Sequence, residues 1–177
     1  MRKIIWVIFI LTLAIIAGCD KSGSERPRKT KVEAGSVAPD FTLRDMNEKN
    51  TSLSDYKGRV VLITFWNMKC KDCTESMPSL EALNQRFREQ GLEVIAINAD
   101  NLEYVKPEKI INFIKSKGYT FKILFDETFS TSETYKIVAI PMTFLIDKNG
   151  SVSYAKFGKD DWISQENTER VQSLLNR

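Results

Sequence analysis

Apolar and polar positions change rhythm several times along this chain. Residues 4–17 are apolar except for Thr12, and they follow the basic start Met1-Arg2-Lys3. Residues 20–38 are mostly Ser, Gly, Lys, Arg and Glu. Beyond them, short runs dense in Val, Ile, Leu and Phe alternate with stretches whose apolar residues recur every three or four positions. Val60–Trp66 is apolar almost throughout and predicts a central strand covered on both faces. Leu92–Asn98, residues 121–125 and Met142–Ile146 predict further core strands. After Cys70, the spacing of Met77, Leu80, Leu83 and Phe87 predicts an amphipathic helix, with a kink at Pro78 and a stop near Gly91. Pro107–Lys117 predicts a second helix, with proline at its first position, Gly118 just past its end, and Ile110, Ile111 and Ile114 on its packing face. Residues 130–135 predict a short helix, and 161–175 a terminal one with Asp160 or Asp161 at its N-cap.

The remaining segments read as turns and edges. Residues 39–43 and 51–53 predict two short strands around the turn Asn47-Glu48-Lys49-Asn50, followed by a break at 54–58. Asn149-Gly150, both tolerant of positive φ, predicts a hairpin from Met142–Ile146 into a strand over 151–157. This order predicts an α/β fold: a central mixed β-sheet with helices on both faces and an added N-terminal β-hairpin. Neither an internal repeat nor a second domain is visible.

The apolar run at 4–17 is shorter than the roughly 20 residues a spanning helix needs and matches the core of a secretory signal. Ile16-Ala17-Gly18-Cys19 resembles the bacterial lipobox, whose cysteine is lipidated and becomes the first residue after cleavage. The predicted organisation is therefore a lipoprotein signal peptide at 1–18, lipidated Cys19 and a flexible tether at 19–37, and a folded domain at 38–177. Asp20 resembles the signal that retains lipoproteins on the inner membrane, so the expected location is the cell envelope, lipid-anchored, with the domain on the periplasmic, extracytoplasmic side. Such a tether would span roughly 25 Å as a random coil.

At 177 residues, 42% hydrophobic and 28% charged, the chain has material for one domain with a substantial core. The formal charge of +3 includes Arg2 and Lys3 of the expected signal. Lysines interleave with acids rather than forming a stripe, which argues against a nucleic-acid partner. There is no histidine. That removes His-based general acid–base catalysis, Ser-His-Asp triads and His-containing metal sites.

The remaining chemistry lies in Phe65-Trp66-Asn67-Met68-Lys69-Cys70-Lys71-Asp72-Cys73, where a predicted strand gives way to a helix N-terminus through a C-x-x-C pair. Free backbone N–H groups and the positive end of the helix dipole favour a thiolate there, so the first cysteine should be the reactive one. A zinc site would need two further Cys or His ligands that a monomer with a lipidated Cys19 lacks. A purely structural disulfide would close a very short loop and stabilise little.

These residues, together with Ala38-Pro39-Asp40-Phe41, the segment from Leu53 to Gly58, Met77-Pro78 and Ile140-Pro141-Met142-Thr143-Phe144-Leu145-Ile146-Asp147, resemble the thioredoxin superfamily. Within it, they are similar to the membrane-tethered TlpA/ResA-type thiol-disulfide oxidoreductases. The resemblance implies a thioredoxin-like fold, Cys70 and Cys73 as catalytic residues, and no cofactor. It also implies a cis peptide bond before Pro141, with Trp66, Ile140 and Pro141 at the substrate-binding surface. The implied activity is dithiol–disulfide exchange, in the reducing direction, on disulfide-bearing secreted or periplasmic clients. A membrane electron donor of the thiol-relay type would supply it, cytochrome c maturation is the implied setting, and the expected state is a monomer.

Three positions depart from the pattern. Thr64 stands where thioredoxins carry a buried aspartate, Ser76 where ResA-like proteins carry a glutamate, and Lys69 where an aromatic residue is usual. Glu75 is one position off and expected on another side of the helix, so the proton acceptor for the second thiol is unidentified. Competing functions are a Sco-like copper-binding or copper-delivery protein, which would want a wider cysteine spacing and a histidine, and a thiol peroxidase. The latter would want a threonine three residues before the attacking cysteine, where Asn67 stands.

Overall fold

The computed structural model describes residues 32–177. Cys19, the expected signal and most of the expected tether lie outside the described residues. The elements run in the order β1 (Thr42–Asp45), β2 (Asn50–Ser52), β3 (Val60–Trp66), α1 (Lys71–Phe87), β4 (Leu92–Asn98), α2 (Pro107–Lys117), β5 (Lys122–Phe125), α3 (Ser130–Thr134), β6 (Met142–Ile146), β7 (Val152–Phe157) and α4 (Gln165–Leu175). They build one seven-stranded mixed sheet in the order β2-β1-β5-β4-β3-β6-β7. β3, β4 and β5 are parallel neighbours, and β6, β7 and the β1–β2 hairpin add antiparallel strands at the flanks.

Period-two alternation along β3 divides the core. Val60, Leu62 and Trp66 join the cluster that packs against α1, α2 and α4 through Met77, Leu80, Leu83, Phe87, Ile110, Ile114, Val171 and Leu174. Val61, Ile63 and Phe65 point to the opposite face, where Val32, Ala38, Phe41, Leu53 and Tyr135 cover them. Helices flank both faces, but unequally. The three longer ones share one face, and α3 with the amino-terminal segment forms the other.

The local departures from expectation have identifiable causes. The first strand begins at Thr42 rather than residue 39, because the Asp40 carboxylate accepts the Phe41 and Ser54 N–H groups and holds that stretch out of the ladder. Leu53 opens a 3-10 turn, Leu53–Tyr56, instead of ending a strand. The terminal helix starts at Gln165 with Ser164 as N-cap, not Asp160 or Asp161. Asp161 caps an earlier turn through the Ile163 N–H at 3.1 Å. In the β6–β7 turn only Gly150 takes a positive φ, 83°. Asp147 Oδ1 accepts the Asn149 and Ser151 N–H groups, so the turn is built on a side chain rather than on two left-handed residues. Pro78 lies inside a helix that continues to Phe87, followed by the 3-10 turn Arg88–Gln90 and a left-handed Gly91. Packing also begins before the expected boundary at residue 38. Val32 is buried, the Gly35 N–H donates to Val152 O at 2.8 Å, and Val37 bridges Ser151.

Candidate active site

The site forms where β3 ends. Trp66 pairs with Asn98 at the last register position of the parallel β3–β4 ladder. Beyond it, residues 67–70 turn sharply into α1. Three contacts hold this turn: the Asp100 carboxylate accepts the Met68 N–H at 2.8 Å, the Asn67 side chain accepts the Lys69 N–H at 3.0 Å, and the Asn67 carbonyl accepts the Cys70 N–H at 3.3 Å. Asp100 is itself buried and fixed by the Asn98 side-chain amide at 2.9 Å. Neither Asp100 nor Asn98 was legible as a site residue, since nothing but the parallel register brings the end of β4 beside the end of β3.

Cys70 is the N-cap of α1 and accepts the Cys73 N–H at its sulfur, 3.1 Å away. That contact, at the positive end of a seventeen-residue helix, favours negative charge on this sulfur. Cys70 is half-buried, whereas Cys73, one turn into the helix, is 2% exposed. The two are joined as a disulfide with Cα atoms 5.2 Å apart. Lys69, Lys71 and Asp72 surround the opening and are all exposed.

Ile140-Pro141 is the cis peptide bond that the resemblance implied. Pro141 is buried and lines, with Cys73, a cavity of ≈ 10 Å³ walled by Thr64, Trp66, Ser76, Thr143 and Trp162. Ile140, expected at the substrate-binding surface, stays half-exposed beside it in sequence. Trp66 does not fit the client-facing role. It is 1% exposed, packs with Phe113 at 6.2 Å between ring centroids, and so forms an inner wall rather than a binding surface.

The three departures resolve plainly. Thr64 is buried on the Cys73 side of β3 and accepts a hydrogen bond from Thr143 at 2.9 Å across the β3–β6 ladder. Ser76 is buried and donates back to the Asp72 carbonyl. Glu75 lies outside, bridged to Lys159 at 2.6 Å and Lys71 at 3.7 Å. The Lys159 ammonium, by hydrogen bond and charge, holds the Glu75 carboxyl below its usual range, and Lys159 rises in turn. Among the described residues, no carboxylate lines the cavity beneath Cys73, and no group of His, Cys, Asp and Glu is arranged to hold a metal.

Residues 34–155 match the model of the AhpC/TSA family. The chain belongs to this family. Two curated relatives carry the name thiol-disulfide oxidoreductase ResA, both from strains of Bacillus cereus. One is 32% identical over 151 residues, 85% of either chain, and the other 33% identical over 176 residues, 99% of this chain and 96% of the relative. Among solved structures, a Chlorobium tepidum protein assigned as the thiol:disulfide interchange protein DsbE superposes with a TM-score of 0.73 at 27% identity, over 82% of this chain and 99% of its own. The resemblance read from the motifs is thus a relationship along most of the chain. The protein is a thioredoxin-like thiol-disulfide oxidoreductase of the ResA/DsbE type.

Proposed function

We propose that this oxidoreductase works as a disulfide reductase outside the cytoplasm, anchored by lipid on Cys19. Its clients are disulfide-bearing secreted or periplasmic proteins, apocytochromes c among them, and a thiol relay in the membrane returns its electrons. One observation supports the exchange mechanism above the rest: a half-buried Cys70 whose sulfur receives the Cys73 N–H at the mouth of α1, with Cys73 held 2% exposed behind it. In the forward reaction the Cys70 thiolate attacks a client disulfide. One client sulfur leaves as a thiolate that takes up a proton, and Cys70 stays bonded to the other. Cys73 then loses its proton and attacks Cys70, closing the pair and releasing the second client thiol. The client loses one disulfide and gains two thiols, and the protein is oxidised by two electrons. Ile140, half-exposed before a cis proline, would offer its backbone to an extended client segment in strand-like pairing.

The test is a trap. Cys73→Ser should accumulate mixed disulfides through Cys70 in cells, and Cys70→Ser should not. Recovery of no thiol-linked protein would sink the exchange mechanism. Direction is tested separately by equilibrating the protein with thiol–disulfide buffers, where a reductase should sit well below about −150 mV and an oxidase above it.

A further inference from the structure

Among the described residues, none that lines the cavity beside the resolving thiol is a carboxylate or an amine. Carboxylates stand on several neighbouring elements, but none of them lines the cavity. On α1, Asp72 is exposed, Glu75 is bridged to Lys159 and Lys71, and Glu81 accepts from Thr120 and Phe121. Asp100, after β4, is taken by Met68 and Asn98. Asp160 and Asp161, before α4, lie with Lys159 along an outer groove lined also by Glu75 and Pro78. Lys69 and Lys71 are exposed. The Cys73 cavity is lined instead by the hydroxyl-bearing residues Thr64, Thr143 and Ser76, the last already donating to the Asp72 carbonyl, and by Trp66 and Trp162.

Two details give these neutral groups a direction. Thr143 donates its hydroxyl proton to Thr64 Oγ1, which leaves the Thr64 proton free to be donated in turn. Trp66, on the same wall, carries a fully buried Nε1–H with no hydrogen-bond partner among the described residues. A buried donor left unpaired is costly, and a cavity of ≈ 10 Å³ is about the size of a single water. A water there can accept from the indole and still donate two protons.

We propose that this cavity is an anion-stabilising site for Cys73: the Thr64 hydroxyl, polarised by Thr143, and one water held by the Trp66 indole donate hydrogen bonds to the Cys73 thiolate as it forms. The inference rests on the exchange reading above. Its step balances simply. The Cys73 S–H proton goes to solvent, the Cys73–Cys70 bond forms, the Cys70–client bond breaks, and the departing client sulfur keeps the electron pair and takes a proton from solvent. Nothing in the cavity changes charge except the sulfur. Activation therefore comes from donors that favour the anion rather than from a base that removes the proton. Thr143 acts through Thr64 and is a positioning residue.

The test uses the full chain in detergent, with Cys19→Ser so that only the pair reports. The reduced protein reacts with dithiobis(nitrobenzoate). A first thionitrobenzoate is released when Cys70 attacks, and a second when Cys73 resolves the mixed disulfide. Thr64→Val should slow the second phase by about tenfold to a hundredfold, the effect of one hydrogen bond to a charged group, and leave the first phase unchanged. Thr64→Ser should restore it, and Thr143→Val should slow it in the same direction. A second phase at the parent rate in both valine variants would overturn the proposal, as would slowing in Thr64→Val that Thr64→Ser does not relieve. If the parent protein itself shows no fast first phase, the exchange reading fails instead, and the two failures are thereby distinct.

Discussion

Glu81 sits about two turns beyond Cys73 on α1 and shows what a buried charge does in this fold. Burial pushes its carboxyl up, but the Thr120 hydroxyl and N–H, the Gln85 amide and the Phe121 N–H together outweigh that and hold it below the usual glutamate range. A carboxyl depressed in the folded state adds stability that is fully present above its unfolded value. That stability is lost as the pH falls through the folded one. Urea midpoints should therefore hold steady above the ordinary glutamate value of 4.5 and fall below it. Glu81→Ala should cost about 1–3 kcal/mol at neutral pH, with two backbone donors left unpaired, and should flatten that acid limb. An unchanged acid limb in the variant would move the dependence elsewhere. At this scale Cys70 and Cys73 were legible because their spacing is local and their chemistry unusual. The Thr64–Thr143 contact was not, since a threonine in a strand reads as an ordinary β-former until the β3–β6 register sets it opposite another.

Boundaries were legible where the chain punctuates itself. α2 runs from Pro107 to Lys117, with Gly118 at φ 68°, because proline suits a first helical position and glycine a left-handed end. β3, β4 and β6 occupy the stretches their apolar runs predict. The predictions failed where a side chain competes for the backbone, as Asp40 does before β1, or where several candidate caps stand in a row, as Asp160, Asp161 and Ser164 do before α4. Ser164 Oγ accepts the Asn167 N–H, and its carbonyl receives the Thr168 hydroxyl and N–H. The Asp161 carbonyl instead receives the Asn167 side-chain amide, a contact that survives truncation of the Asp161 side chain. Ser164→Ala should therefore destabilise the protein by about 1 kcal/mol, and Asp161→Ala by less. Thermal melts of the pair rank them, and the reverse order would return the cap to Asp161.

Across the described domain, the sheet sets the sulfurs and residues 35–38 at opposite poles. β3 runs from Val60 to Trp66, about 20 Å at the usual rise per residue, and the cysteines follow its far end. Its near end lies by the β6–β7 turn, where the Gly58 N–H donates to Lys148 O. Residues 35–38 pair with this same turn through Gly150, Ser151 and Val152. The first described residues therefore join the sheet at the pole away from the cysteines. Anchoring and chemistry should then be separable. Cys19→Ser should move the protein from a detergent-requiring membrane fraction into one released by buffer or retained only by an uncleaved signal. Its rate toward a small disulfide should stay within about twofold of the parent, because the described residues that hold the sulfurs are unaltered. Lengthening residues 20–31 with Gly-Ser repeats should likewise leave that rate unchanged, while reduction of the protein by the membrane thiol relay proposed above should fall as the local concentration of the domain falls. A Cys19→Ser protein that keeps its membrane fraction in full would remove the lipid from this account. One that loses its rate toward the small disulfide would mean that the two poles are coupled through the sheet.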